Sequence, residues 1–343
     1  MSVERPCIRP VDPWDEEEMD VLQAQYAESA RAEVPDARVY SRADSVALLR
    51  RQEGGVFYHA FAAFEDPDGT EMVGQTWVVG STIDNLHLAH LWAWVPPRFG
   101  RRGYGAALVA HAEQHVRELG RSTAVTQTWI GDGTGGYRPF AERLGYSLAQ
   151  TQVERRQHLP VDETTLSGLE ADAAAHSAGY PLRTVVGPIP DELVPGFLDL
   201  YNLMNVEMPT GDIELEEGRR TPEVQAQQED ELRDQGRTRL TVLAYSPAGE
   251  AVAYSNVVSG ASDSDDPGID QWATIVRPDH RGHRVGLAVK CALTRAIQEH
   301  FPDAEYVRTQ NAETNAPMVA INEALGFRVH SIEGEFQKRL DAH

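Results

Sequence analysis

Met19, Leu22 and Tyr26 stand three and four residues apart, a spacing that puts them on one face of a helix. A short strand at 7–10 precedes that helix, and a second helix is predicted over 41–51. Apolar runs at 56–63 and 72–79 predict strands, with Asp66-Pro67-Asp68-Gly69 supplying the turn between them. A long strand at 86–95 then enters a glycine-bearing loop, and a helix is predicted from 103 to 119. In the second half Leu193, Phe197, Leu200 and Met204 stripe a helix, and strands are predicted near 240–245 and 252–258. A strand at 272–276 leads into another loop and a helix whose apolar positions Val289, Leu293 and Ile297 recur every fourth residue. Strands at 306–310 and 328–332 follow.

The two halves read as copies of one pattern. Val95-Pro96-Pro97 recurs 181 residues later as Val276-Arg277-Pro278, and Leu144-Gly145-Tyr146 recurs at the same offset as Leu325-Gly326-Phe327. Gly105/Gly286, Ala107/Ala288, Glu118/Glu299, Thr128/Thr309 and Glu142/Glu323 match without a gap. Between the copies, residues 160–180 are polar and alanine-rich and read as a linker with room for a short helix. The implied unit is a mixed sheet with helices on both faces.

Length supports the duplication, since 343 residues at about 150 per domain predict two domains. With 41% hydrophobic and 24% charged residues the composition is that of a globular chain. A net charge of −22 argues against nucleic acid, which needs a basic footprint, and favours cationic small molecules. Nearly all positive charge is arginine; the only lysines are Lys290 and Lys338. Cys7 and Cys291 form no disulfide framework and match no zinc spacing, so no metal is expected and the cytosol is the expected compartment. No apolar run approaches the ~18 residues of a membrane span, and the first residues carry no signal core.

The chemistry concentrates in the loops. Residues 277–287 lie between a strand and a helix whose first turn leaves amide N–H groups unpaired and carries roughly half a positive charge. Small residues there let a diphosphate approach the backbone, and Arg281 adds charge-assisted hydrogen bonds of roughly 1.5–3 kcal/mol each. The first copy offers Phe99-Gly100-Arg101-Arg102-Gly103-Tyr104-Gly105 in the same place.

At these residues the chain resembles the GNAT (Gcn5-related N-acetyltransferase) superfamily. That family's pattern is Arg/Gln-x-x-Gly-x-Gly/Ala, introduced by Val-x-Pro and closed about forty residues on by Leu-Gly-Phe. The resemblance covers both halves. It implies an α/β (α+β) chain of two tandem GNAT-like domains, 1–159 and 181–343, each a mixed, mostly antiparallel sheet flanked by helices. It implies acetyl-CoA as co-substrate. In the second half, backbone groups near Ile275 and Val276 would bind pantetheine. Arg281, Gly282, His283, Arg284, Val285 and Gly286 would cradle the pyrophosphate, and Asn311 or Asn315 would contact the cofactor. Val95, Arg102, Gly103 and Gly105 are the first half's counterparts.

Both copies depart from the pattern. The first has Gly100 where the leading Arg or Gln belongs, and Ile130 and Thr134 where the second has Asn311 and Asn315. The second has Arg284 where the first glycine belongs. These differences make the second half the expected catalytic one and the first a degenerate copy. The family's acid, a tyrosine four residues before the glycine of Leu-Gly-Phe, is replaced by Asn322 and by Ala141. Protonation of the leaving thiolate therefore shifts to water, to Tyr201 or Tyr254, or to no side chain at all.

Candidate bases for the acceptor amine are Asp270, Glu207 and Asp212. His87, His90, His280 and His283 read as structural or solvent-facing, and Trp92 and Trp94, on the face of His90, as core. The expected reaction is acetyl transfer to an amine of a small, cationic acceptor by a monomer or homodimer. Rivals are a mycothiol-synthase-like acetylation of an aminosugar-linked cysteine and a CoA-binding module without catalysis.

Overall fold

A computed structural model describes residues 6–34, 36–37, 39–50, 55–65, 69, 71–131, 137–207, 211–213, 215, 219–260, 266–312 and 314–340. Arg51, Asp66, Pro67, Asp68 and Thr134 lie outside them. In chain order the elements are β1 (Cys7–Pro10), α1 (Glu16–Glu33), α2 (Arg42–Arg50), β2 (Val56–Phe64), β3 (Met72–Ser81), β4 (Leu88–Trp94), α3 (Tyr104–Glu118), β5 (Thr123–Trp129), α4 (Arg138–Arg143) and β6 (Ser147–His158). There follow α5 (Glu163–Ser177), β7 (Leu182–Val186), α6 (Val194–Glu207), α7 (Pro222–Asp234), β8 (Arg239–Tyr245), β9 (Ala251–Val258), β10 (Gly268–Val276), α8 (Val285–His300), β11 (Tyr306–Ala312), α9 (Ala316–Ala324) and β12 (Arg328–Arg339).

These elements form two compact units that are not consecutive blocks of sequence. The first takes in Met1–Thr151, Gly211–Glu216 and Glu333–His343; the second takes in Gln152–Thr210 and Glu217–Ile332. Each unit thus receives the closing strand of the other repeat. In the first, the order β1-β2-β3-β4-β5 is completed by β12, which pairs antiparallel with β5 from Glu333↔Trp129 to Arg339↔Thr123. Lys338 of that strand reaches both carboxylate oxygens of Glu113 on α3, at 2.8 and 2.9 Å. In the second, β6 pairs antiparallel with β11 from Gln152↔Ala312 to His158↔Tyr306, beside β10-β9-β8-β7.

Apolar alternation sets the layers, because successive side chains leave opposite faces of a strand. Leu240, Val242 and Ala244 pack with Val289, Leu293 and Ile297 of α8, while Leu243 packs with Phe197 and Leu200 of α6. In the first unit Met19 and Leu22 of α1 cover one face and Tyr104 and Leu108 of α3 the other. Helix starts are capped from the sequence: Asp15 accepts from Glu18 N, Asp162 from Thr165 N and Thr221 from Val224 N. The segment expected to link the copies carries α5, whose Leu166 is fully buried in the α8 core and whose Glu163 and Glu170 clasp Arg295.

Candidate functional site

In each unit one pair of parallel strands parts after three rungs. β10 and β11 pair at Gly268↔Tyr306, Ile269↔Val307 and Asp270↔Arg308; β10 then stays with β9 as far as Val276↔Ala253 while leaving β11. A bulge between Gln271 and Ala273 marks the departure. β4 and β5 do the same after His90↔Val125. The edge of β10 near Ile275 and Val276 that faces β11 is therefore open, and Val95 follows the open edge of β4.

Beyond each opening the backbone curls into an anion cradle. Arg281 N bonds to Pro278 O and Ala288 N to Arg284 O, so the six amides of Gly282–Leu287 have no backbone partner among the described residues. In the first unit the amides from 101 to 106 are likewise unpaired, between Gly100 N and Ala107 N. Two residues in each loop are left-handed: Gly282 (φ +84°) and Arg284 (+53°) in one, Arg101 (+65°) and Gly103 (+92°) in the other. Alternating handedness turns successive N–H groups inward, the arrangement that binds phosphates. Arg284 stands where the family has glycine, but it adopts glycine's backbone, and the accompanying glycine has moved two residues earlier. Gly286 sits close to β10: a Cβ there would come within 3.3 Å of Val276 Cγ2.

The side chains around the second cradle are anchored. Arg281 donates to the Val276 carbonyl at 3.1 Å and to Glu207 Oε2 at 2.8 Å. Arg284 is paired with Asp172 of α5 at 2.7 Å. His280 and His283 both meet Tyr180, whose hydroxyl lies 3.1 Å from His280 Nδ1. Arg102 of the first cradle lies 3.3 Å from Glu65, which also accepts from Tyr104. Asn311 is on β11 past the last shared rung, with its oxygen accepting from Asn322 Nδ2 at 2.7 Å. Asn315 caps α9 by position without a side-chain cap bond.

Two of the candidate proton-transfer groups sit elsewhere. Asp270 is at the closed end of the fork, accepting from Arg308 Nε at 2.6 Å and from Arg237 at 3.2 Å. A buried carboxylate engaged by two guanidiniums is a strap across the last rung, not a base. Replacing its partner, Arg308→Met, is expected to lower stability by about 3–5 kcal/mol in urea unfolding, since Asp270 and Asp266 lose a buried counter-ion. Tyr254 is fully buried against Phe197, its hydroxyl facing Met204 Sδ at 3.7 Å; burial raises its pKa further above the ordinary phenol value. Tyr201 accepts from Arg220 at 2.6 Å. The backbone carbonyl of Asp212 accepts from Gln337 in the first unit. Glu207 alone among the proposed acids lies at the cradle. Composition and spacing did not single out Gln271 or the buried position of Lys290, which the fold brings to the fork's apex; the rarity of lysine was the available signal.

No helix among the described residues is long and apolar enough to cross a membrane, and no group of three or more His, Cys, Asp or Glu is placed to hold a metal ion. Residues 14–146 match the sequence model of the acetyltransferase (GNAT) family. Among solved structures, a tandem GNAT protein from the clavulanic acid biosynthesis pathway is 25% identical, with 97% of this chain and 98% of that one covered at a TM-score of 0.75. A GCN5-related N-acetyltransferase from Sphaerobacter thermophilus matches 98% of this chain and 96% of its own at 17% identity and a TM-score of 0.64. A glucosamine N-acetyltransferase region of a fungal GH3 β-N-acetylglucosaminidase matches 97% of this chain and 38% of its own at 12% identity and 0.65. No protein of curated function matches the sequence.

Proposed function

We propose that this chain, a tandem protein of the GNAT fold whose residues 14–146 carry the GNAT acetyltransferase family's sequence pattern, moves an acetyl group from acetyl-CoA to an amine of a small cationic acceptor. The second unit holds the donor. The observation that carries the reading is the cradle of six unpaired amides, Gly282–Leu287, beside Arg281 at the open end of a forked strand pair. The first unit has an equivalent cradle, but it has Gly100 in place of Arg281 and a buried Ile130 in place of Asn311. The family match on residues 14–146 favours a second reading, in which the first cradle is the occupied one.

Acetyl-CoA supplies the acetyl thioester and the phosphates. The amides of Gly282–Leu287 bind the phosphates, and Arg281 exchanges the carboxylate of Glu207 for a phosphate oxygen. The open edge at Ile275 and Val276 holds the pantetheine amides, and Asn311 and Asn315 border its path. An acceptor amine with a pKa near ~10.4 must lose a proton at a cost of roughly 4–5 kcal/mol at pH 7. Glu207, released as Arg281 turns to phosphate, attracts the ammonium and accepts that proton through water; the amine nitrogen then bonds to the acetyl carbon as the C–S bond breaks, and the leaving thiolate takes a proton from water. The net charge of −22 draws such acceptors toward the protein.

Two measurements follow. Purified protein with acetyl-CoA and a panel of amines, aminoglycosides and cysteinyl sugars is expected to release free thiol above background hydrolysis; no release with any acceptor defeats the enzymatic reading. Glu207→Gln removes Arg281's competing partner, so calorimetry should show acetyl-CoA binding up to about fivefold tighter, the worth of a partly exposed ion pair, while turnover falls. Unchanged binding and turnover together would remove Glu207 from the site.

A further inference from the structure

Lys290 is 3% exposed, on the sheet-facing side of α8, and no carboxylate bonds to it among the described residues. Its ammonium donates to Gln271 Oε1 on β10 at 2.8 Å and to Asn322 Oδ1 on α9, and it lies 4.8 Å from the ring centre of Phe327. Gln271 in turn donates to Ser255 at 2.9 Å and to Thr274 at 3.2 Å, and Asn322 donates to Asn311 at 2.7 Å. The cluster sits at the apex of the fork, since Gln271 is the first residue past the last rung shared by β10 and β11. Burial lowers the lysine's pKa to about 7.

The duplication supplies an internal control. At the same offset of 181 the first repeat has His90, Val109, Ile130 and Ala141 for Gln271, Lys290, Asn311 and Asn322. Val109, Ile130 and Ala141 are buried. The fold therefore closes at three of these four positions with apolar residues and has no ammonium there, and burying an ion instead is unfavourable. The network is not a device for stability. In a chain that uses arginine nearly everywhere, its cation is one of two lysines, a compact ammonium with donors only.

Donors alone determine the direction of the hydrogen bonds. In its ammonium form Lys290 accepts nothing, so in that protonation state the oxygen of Asn322 turns to Lys290 and its NH2 turns to the oxygen of Asn311. The NH2 of Asn311 is left with no partner among the described residues, on the stretch of β11 that borders the opening. We infer that Lys290 is a positioning residue of the second unit: through Asn322 it sets the polarity of Asn311, so that the Asn311 amide donates to a carbonyl oxygen of an acyl-pantetheine arm lying between β10 and β11. The inference rests on the reading that the second unit holds the donor.

The test uses the full chain and acetyl-CoA as probe. Lys290→Met removes the fixed donor and lets both amides turn over. It is expected to fold, to bind acetyl-CoA about tenfold more weakly, the loss of one oriented hydrogen bond, and to shift the side-chain 15N–H resonances of Asn311 in the unliganded protein. Asn322→Ala, which keeps the lysine but cuts the link, is expected to give the same two changes and decides the matter if Lys290→Met does not fold. Wild-type affinity with an unmoved Asn311 amide in these variants overturns the relay. A wild-type protein that binds no acetyl-CoA, with the Asn311 resonance still shifting in the variants, overturns the donor reading while leaving the amide relay standing.

Discussion

Ending the chain after Ile332 is expected to unfold the first unit, although every removed residue belongs to the second repeat. Residues 333–339 are the only strand partner of β5 on its far side from β4 among the described residues. The cut removes Phe336, fully buried, and Lys338, whose bond neutralises the buried Glu113 on α3. It also removes the bond from Leu340 N to Ser122 O at 2.7 Å. Losing a buried phenylalanine costs about 3–5 kcal/mol, and Glu113, left with only Arg117 at 3.7 Å as a counter-ion among the described residues, adds to that. Together these approach the roughly 5–15 kcal/mol that holds a domain folded. Trp14, Trp77, Trp92, Trp94 and Trp129 lie in the first unit and only Trp272 in the second, so tryptophan emission reports the first. The truncated chain should show red-shifted emission and no cooperative melting of that signal. Wild-type emission with a cooperative transition would show that the first unit stands without the exchanged strand.

That exchange marks the limit of what the amino-acid pattern conveyed. The duplication, the helix faced by Met19 and Leu22, and the loop-to-helix turns were legible, because they rest on local periodicity and on identities at a fixed offset. Strand pairing across two hundred residues is not local: nothing in 333–339 distinguishes a strand that closes its own repeat from one that closes the other. α7 was missed because its face is almost wholly polar, although Thr221-Pro222-Glu223 is a recognisable helix start. The cradle residues were legible as a motif, whereas their left-handed pattern, with glycine and arginine trading places between the copies, needed the backbone. The ion pairs that occupy Asp270 are not legible, because Arg237 and Arg308 are distant from it in sequence; nor is the burial of Tyr254, which a strand's alternation alone does not reveal. Asn322 was noted only for the tyrosine it replaces, and its bond to Lys290 depends on α8 and α9 meeting at the fork.

The second cradle, with Arg281, is the proposed site of the donor. Arg281→Ala deletes a guanidinium that immediately precedes the six unpaired amides in sequence and rests on the Val276 carbonyl and Glu207. Two charge-assisted hydrogen bonds to a diphosphate are worth enough that their loss should weaken acetyl-CoA by about 100-fold or more. The matched control is Gly105→Asp, which sets a carboxylate at the mouth of the first cradle, its Cβ 3.4 Å from Phe140 Cζ. If the first cradle is unoccupied, that repulsion is not felt. Calorimetric titration of both variants with acetyl-CoA is the most direct test. Arg281→Ala should lose most of the affinity while Gly105→Asp stays near wild type; the reverse order would place the donor in the first unit and contradict the account.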